Sequence, residues 1–203
     1  MGCSSDNENY LVVGDDDNNS NNNQSYKIVK IGNASYKRIK KLGKGGTCIV
    51  RKLEKDGRYF AHKKIIKRKT DNSLYKNEIS ILKMFDHENI VKFIESQESD
   101  DCLEIIMEFG GNSNLKKFIK KKRKNPFLIS QDIISKIIIQ ICFGLKEIHN
   151  KKIIHRDLTP QNIFIDETDE TNYKIKIGDF GISTKKNTQQ KKLVKKNIYH
   201  LKC

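Results

Sequence analysis

Two short segments of the chain combine acidic, amide and glycine residues in spacings that could support chemistry on phosphates. The first is HRDLTPQN, at His155–Asn162, and the second is GDFG, at Gly178–Gly181. Their Asp and Asn side chains carry hard oxygen atoms, the kind of ligand that Mg²⁺ takes when substrate phosphates complete its shell. Phosphoryl transfer needs little covalent help but much positioning and charge neutralisation, so these residue types fit that reaction.

The two segments together resemble the catalytic loop H-R-D-L-x-x-x-N and the D-F-G motif of protein kinases. They stand in the order and context that the family requires, each beside a short predicted strand. Five fixed residues in eight arise by chance roughly once in ten thousand chains of this size. The resemblance implies that Asp157 accepts the proton of the substrate hydroxyl. It also implies that Asn162 and Asp179 hold Mg²⁺.

A third segment, LGKGGTCIV at Leu42–Val50, resembles the glycine-rich loop of the same family. In that loop, small residues let backbone N–H groups approach the phosphates of ATP. The match covers Gly43, Gly45 and Val50, whereas Cys48 stands where the third glycine belongs. By itself the segment is equally typical of a plain glycine turn between strands.

Lys63 ends the segment FAHK, which stands where the family has V-A-I-K, and Lys64 is its rival. Strand alternation favours Lys63, because Ala61 two residues earlier points to the same face. Glu78 lies in the apolar stripe of a predicted helix, where a carboxylate needs a cationic partner. The resemblance implies that Lys63 and Glu78 form the ion pair that positions the ATP phosphates. Either lysine considered singly would be read as a solvated strand residue.

The segment IIMEFG, at Ile105–Gly110, resembles the kinase hinge. The resemblance implies that Met107 is the gatekeeper and that the backbone of Glu108 and Gly110 meets the adenine. Three residues would supply the apolar cover of the base: Val50, Ala61 and Phe164. Each of them considered singly is more often just a core residue.

Hydrophobic periodicity around these motifs predicts an α+β fold. An antiparallel sheet of five strands is expected at 36–42, 49–54, 58–65, 90–96 and 102–108, with a turn at Asp56-Gly57. One helix, at 74–85, interrupts this series. Helices follow at 115–122 and 133–150, the second capped by Ser130, and then short strands at 162–166 and 174–177.

The resemblance implies a bilobal, protein-kinase-like arrangement of these elements. We expect a disordered polar and acidic tail at 1–33 and a kinase N-lobe with hinge at 34–110. A partial, mainly helical C-lobe with the catalytic loop and DFG should occupy 111–184. Residues 185–203 read as a basic, degenerate activation segment or tail, with seven lysines and no acid. The A-P-E motif does not appear there, so we expect the C-lobe of this chain to be incomplete.

The net charge of +15 would suit a polyanion, but a solvated lysine-rich surface is the more ordinary explanation. Lysines are scattered over the chain and no nucleic-acid recognition motif accompanies them, so no specific nucleic-acid partner is expected. The five cysteines are far apart, which indicates a reducing cytoplasm and no zinc site. Gly2 and Cys3 resemble a lipidation start, although Asp6 stands where that motif has Ser or Thr, so membrane association would require this lipid.

The segments HENIVKFIES, GLKEIHNKKIIHRDL, PQNIF and IKIGDFGIS are similar to those of NIMA-related serine/threonine kinases, and the resemblance covers about residues 36–184. It implies transfer of the ATP γ-phosphate to a protein hydroxyl with Mg²⁺. The alternative is a catalytically impaired pseudokinase or ATP-binding interaction module. That alternative rests on Cys48, on Thr159 where the family places a lysine, and on the missing A-P-E motif.

Overall fold

The computed structural model describes residues 12–13, 26–46, 48–67, 73–123, 129–169 and 172–185. The described residues fall into two compact units. Unit 1 takes those within Met1–Asn72 and Phe93–Phe109, and unit 2 those within Ser73–Lys92 and Gly110–Cys203.

Unit 1 is an antiparallel sheet of seven strands in the order β1-β2-β3-β4-β5-β7-β6. Its strands are β1 (Val12–Val13), β2 (Tyr26–Ile31), β3 (Ala34–Lys44), β4 (Cys48–Lys55), β5 (Arg58–Ile66), β6 (Phe93–Glu98) and β7 (Cys102–Glu108). The turn between β4 and β5 is Asp56-Gly57, and both residues have positive φ, at 51° and 72°. This is the backbone of a type I′ hairpin turn, which the sequence predicts at this place.

The expected disordered tail at 1–33 is wrong for residues 26–31, which form β2. On β2, Val29 and Ile31 pair with Tyr36 and Ala34 of β3, and the side chains of Val29 and Ile31 are buried. The polar composition of the preceding residues hid this short apolar run, which gains stability only by packing on the sheet. Val12–Val13, also within the expected tail, form β1 and pair with β2, so the sheet of the described residues has seven strands rather than five.

The first hairpin of unit 1 reaches the opposite edge of the sheet. The Tyr36 hydroxyl donates a hydrogen bond to the Glu95 carboxylate on β6, and the Gly32 N–H donates to Gln97 Oε1 at 2.7 Å. Burial, together with the bond to Glu95, raises the pKa of Tyr36 far above its ordinary value. The curled sheet encloses a cluster of buried apolar residues: Val29, Ile31, Tyr36, Leu53 and Ile106.

Unit 2 contains three helices and five short strands among its described residues. The helices are α1 (Ser73–Leu82), α2 (Leu115–Lys122) and α3 (Gln131–Asn150). The strands are β8 (Ser113–Asn114), β9 (Ile153–Ile154), β10 (Ile163–Asp166), β11 (Lys174–Ile177) and β12 (Thr184–Lys185). They form a sheet in the order β11-β10-β8 and a separate β12-β9 pair.

Helix α3 packs one face against β11 and the segment before β6. Its N-terminus is capped as predicted, because Ser130 Oγ accepts the Ile133 N–H at 3.3 Å. A Cβ atom at Gly144 would lie 2.9 Å from the carbonyl oxygen of Asn89, so glycine permits this close approach. On the other face, Ile134 and Ile138 are about half exposed, at 46% and 53%. Within the described parts of the chain, no helix is long and apolar enough to cross a membrane.

Candidate active site

The β10–β11 hairpin brings Asn162 and Asp179 to the same end of a sheet. Ile163 pairs with Ile177, and one step further along, the Gly178 N–H donates to the Asn162 carbonyl at 2.9 Å. Asn162 is therefore level with Gly178, and Asp179 is the next residue. Strand pairing thus joins the ends of two motifs that are well separated along the chain.

The Asn162 side chain fixes Asp157. Its Nδ2 donates to the backbone carbonyl of Asp157 at 2.9 Å and to the carboxylate Oδ2, also at 2.9 Å. The Asn162 N–H donates to the Thr159 carbonyl at 3.0 Å, which closes the loop between these residues. Because both side-chain bonds use the amide nitrogen, the amide oxygen of Asn162 is directed away from Asp157.

The buried, neutral ring of His155 connects the catalytic loop to the GDFG segment. Its Nε2 lies 3.1 Å from the Gly178 carbonyl, and its Nδ1 lies 3.3 Å from the Asp157 amide nitrogen. A carbonyl only accepts, so Nε2 carries the proton and Nδ1 accepts the Asp157 N–H. Burial lowers the pKa of His155 below its usual range, although the Gly178 carbonyl and the nearby carboxylates act in the opposite direction.

Phe180 anchors the segment that carries Asp179. Its side chain is fully buried, with ring centroids 5.2 Å from Phe85 and 4.8 Å from His155. Asp179 itself has φ of +63° and is exposed, and Arg156 has φ of +67°. Non-glycine residues seldom adopt this left-handed conformation, and it is held here by the packing of Phe180 and His155.

The donor set at this end of the hairpin fits Mg²⁺. The amide oxygen of Asn162 and the exposed carboxylate of Asp179 are hard ligands, and Mg²⁺ is usually held by one or two such groups plus substrate phosphates. Among the described residues, no group of three or more His, Cys, Asp or Glu side chains gathers around one point. An ion at Asn162 and Asp179 would therefore take its remaining ligands from a phosphorylated substrate and water.

In unit 1, one face of the sheet carries four of the residues predicted to bind a nucleotide. Val50 pairs with Lys63, and Ala61 pairs with Met107. Positions two apart on a strand share a face, so Val50, Ala61, Lys63 and Met107 lie on the same side. Gly43 pairs with Val50 at the start of this face.

Lys64 lies on the opposite face of the sheet, in a polar cluster with Glu104 and His62. Lys64 Nζ is 3.8 Å from Glu104 Oε1, and His62 Nε2 is 3.1 Å from the same oxygen. Burial opposes ionisation of Glu104, but the hydrogen bond from His62 and the charge of Lys64 outweigh it, so the pKa of Glu104 is lowered. Lys63, and not Lys64, therefore lies on the face of the sheet that carries the residues predicted to bind the nucleotide.

Within the glycine-rich segment, Gly45 and Cys48 are in contact. The Gly45 N–H donates to the Cys48 carbonyl at 2.8 Å, and a Cβ at Gly45 would lie 3.1 Å from Cys48 Sγ. No such neighbour is within 4 Å of a Cβ at Gly43. Cys48, at the position where the third glycine was expected, therefore packs on Gly45.

In unit 2, two predicted nucleotide residues are in contact. A Cβ at Gly110 would lie 2.8 Å from Phe164 Cβ, so only glycine fits there without a shift. Phe164 also lies against Gly178, where a Cβ would be 2.7 Å from its ring.

Glu78 is buried in α1, with 2% exposure, on the face that also buries Ile81. The predicted ion pair between Glu78 and Lys63 stays a prediction. Glu108, predicted to meet the adenine through its backbone, is half-buried at the end of β7.

Comparison with known proteins identifies the family. Residues 36–200 match the sequence profile described as "Protein kinase domain". The chain belongs to the protein kinase family. It is 35% identical over 158 residues to "Probable serine/threonine-protein kinase nek2" of Dictyostelium discoideum, which covers 73% of this chain and 37% of that protein. It is 36% identical over 153 residues to "Serine/threonine-protein kinase Nek1" of Mus musculus, covering 73% of this chain and 12% of that protein.

A relative outside the Nek group is similar to the same degree. The chain is 35% identical over 159 residues to "Calcium-dependent protein kinase 4" of Plasmodium berghei, covering 75% of this chain and 29% of that protein. The chain therefore spans well under half the length of these three relatives. The predicted resemblance to serine/threonine kinases, with Nek proteins among the relatives, and the α+β kinase fold are both confirmed.

Sequence reasoning missed two residues that organise the catalytic loop of this kinase domain. Ser183 is buried and its Oγ donates to the His155 carbonyl at 2.9 Å. Asn77, on α1, donates from Nδ2 to the Ser183 carbonyl at 2.8 Å. Ser183 follows the DFG motif closely, which is a weak positional signal. Asn77 precedes Glu78 in an unremarkable polar position, and nothing in the local pattern marks it.

Proposed function

We propose that this kinase domain transfers the γ-phosphate of ATP to a serine or threonine hydroxyl of a protein. The observation that carries the proposal is the double hydrogen bond from Asn162 to Asp157, together with the strand pairing that sets Asn162 beside Asp179. These contacts bring the proposed general base, Asp157, and the two proposed cation ligands together at one end of the β10–β11 hairpin. The serine/threonine class is supported by the relatives, which are serine/threonine kinases.

In the proposed mechanism, Asp157 binds the substrate hydroxyl and accepts its proton at the carboxylate. The Asn162 amide holds that carboxylate in one orientation, so little reorganisation is needed when the substrate arrives. Asn162 Oδ1 and the Asp179 carboxylate would hold Mg²⁺, which supplies neutralisation of the phosphate charge when bound. His155 maintains the spacing of the two motifs through Gly178 and the Asp157 N–H.

The second candidate is a nucleotide-binding module with impaired catalysis, and Thr159 is the observation that favours it. Serine/threonine kinases place a lysine at this position, beside the transferring phosphate. Loss of one preorganised donor to developing charge costs about 2.7–4 kcal/mol, or roughly 100- to 1000-fold in rate. Cys48, which packs on Gly45, would act in the same direction by changing the approach of backbone N–H groups to the phosphates.

One experiment separates the two candidates. The full chain would be incubated with γ-labelled ATP, Mg²⁺ and a generic protein rich in serine and threonine, while MgATP-dependent thermal stabilisation is measured in parallel. A kinase gives label incorporation that Asp157→Asn abolishes and Thr159→Lys increases. A binding module gives thermal stabilisation without incorporation, even with Thr159→Lys. Absence of both signals would refute both candidates.

We also propose, from the sequence, that the chain acts in the cytoplasm on protein substrates. Lipids on Gly2 and Cys3, the pair that resembles a lipidation start, would attach it to a membrane. Metabolic labelling with myristate and palmitate analogues, compared with Gly2→Ala, tests this point. Label that survives Gly2→Ala would contradict lipidation at this site.

A further inference from the structure

Helix α1 is hydrogen-bonded to the segment that follows the DFG motif. Asn77 lies in the middle of α1, and its side-chain Nδ2 donates to the backbone carbonyl of Ser183 at 2.8 Å. The two residues are 106 positions apart along the chain. This bond therefore joins two elements that only the tertiary fold brings together.

Ser183 passes this connection on to the catalytic loop. Its side chain is buried, its Oγ donates to the His155 carbonyl at 2.9 Å, and its N–H donates to the Phe180 carbonyl at 3.0 Å. His155 in turn accepts the Asp157 N–H at 3.3 Å. An unbroken series of contacts thus runs from α1 through Ser183 and His155 to Asp157.

The position of Asn77 on α1 gives this series a consequence for Glu78. Neighbouring helix residues are about 100° apart around the axis, so a rotation of α1 that breaks the Asn77 bond also turns Glu78. Beyond the C-terminal end of α1, Phe85 rests against Phe180 at 5.2 Å between centroids. Asn77 in the middle of α1 and Phe85 just beyond its C-terminal end therefore both contact the segment that includes Phe180 and Ser183.

We infer that Asn77 is a positioning residue of this kinase domain, which ties α1 and Glu78 to the catalytic loop through Ser183 and His155. The inference rests on the proposed function where it assigns Glu78 to nucleotide binding. The hydrogen-bonded link between α1 and Asp157 stands on the contacts alone. Loss of one neutral hydrogen bond such as Asn77–Ser183 should change the equilibrium between the linked and unlinked positions of α1 by about 2- to 12-fold.

The first arm of the test measures hydrogen exchange in the nucleotide-free full chain. Asn77→Ala removes the donor, Asn77→Asp keeps the shape but replaces the donor with an acceptor, and Ser80→Ala is the matched control on the exposed side of α1. Both Asn77 variants should speed exchange at the amides of Ser183 and Asp157 by about 2- to 12-fold. Ser80→Ala should leave those rates unchanged.

Two results of this arm would overturn the inference. One is unchanged exchange at Ser183 and Asp157 in both Asn77 variants. The other is a uniform rise that also includes the core of α3, at Ile137 and Ile148, because that pattern reports general destabilisation rather than a specific link.

The second arm measures the Kd of MgATP for the wild type, Asn77→Ala, Glu78→Gln and the double variant. We expect each single variant to bind about 2- to 12-fold more weakly. If Asn77 acts through Glu78, the double variant binds no more weakly than Glu78→Gln alone. Additive losses would refute action through Glu78. A wild type that does not bind MgATP would refute the proposed function, and the exchange arm would still decide the link.

Discussion

Replacing Asn162 with alanine removes the side chain that fixes Asp157, and the expected loss can be worked from two contacts. The bond from Nδ2 to the Asp157 carboxylate involves a charged acceptor, for which about 1.5–3 kcal/mol is typical. The bond to the Asp157 carbonyl is between neutral groups and adds about 0.5–1.5 kcal/mol. Asp157 is half-buried, so water can replace part of what is lost, and the lower part of the range applies.

We therefore expect Asn162→Ala to lower the free energy of unfolding by about 2–3 kcal/mol. In a chain of this size that corresponds to a fall in melting temperature of about 4–12 °C. Label incorporation from ATP should disappear as well, because the variant also lacks the amide oxygen proposed to hold Mg²⁺.

Urea denaturation of the full chain, followed by far-UV circular dichroism, measures the free energy. Gln161→Ala is the matched control, since Gln161 is the exposed neighbour in the same loop. It should change stability by less than about 0.5 kcal/mol. If Asn162→Ala were no more destabilising than Gln161→Ala, the Asn162–Asp157 contacts would not hold the loop, and the reasoning above would be wrong.

Three further predictions concern other parts of the molecule. Because the pKa of His155 is lowered in the folded chain, the unfolded chain binds more protons as the pH drops below about 6.5, and the free energy of unfolding should fall. Unfolding curves of His155→Gln, measured over the same pH range, should lose this dependence. Gly110→Ala places a Cβ 2.8 Å from a neighbouring side chain and should cost about 1–3 kcal/mol in thermal unfolding, whereas Gly46→Ala, with open space around it, should cost less; equal losses would contradict the packing argument. Tyr36→Phe removes the hydrogen bond to Glu95 and should cost about 1.5–3 kcal/mol, and an unchanged denaturation midpoint would show that this bond does not help to close the sheet.

Much of the catalytic loop could be predicted because its information is local. The fixed residues around Asp157 and Asn162 are contiguous, and the short strands beside them have clear periodicity. Helix α2 has the bounds expected from its pattern, Leu115–Lys122, and α3 begins two residues before the predicted start. The hairpin turn at Asp56-Gly57 followed from the turn chemistry of these two residues.

Other features had no local signal. The strand Tyr26–Ile31 lies next to a polar, low-complexity stretch, and its stability comes from neighbours in the folded sheet. Helix α1 ends at Leu82, although the apolar pattern continues to Phe85, whose ring is buried against Phe180 after the helix has ended. A periodic pattern reports which side chains are buried, and it does not report whether the backbone is still helical.

The sequence by itself thus predicted the family and the fold class, which are confirmed, and it pointed to Asp157 as a general base and to Asn162 and Asp179 as cation ligands, which stay predictions. It could do so because short motifs and periodicities depend on near neighbours along the chain. Only the tertiary structure showed that Asn77 reaches Ser183 and that Tyr36 reaches Glu95. These bonds join residues that are far apart in sequence, and their partners are chosen by the packing of whole elements rather than by any local pattern.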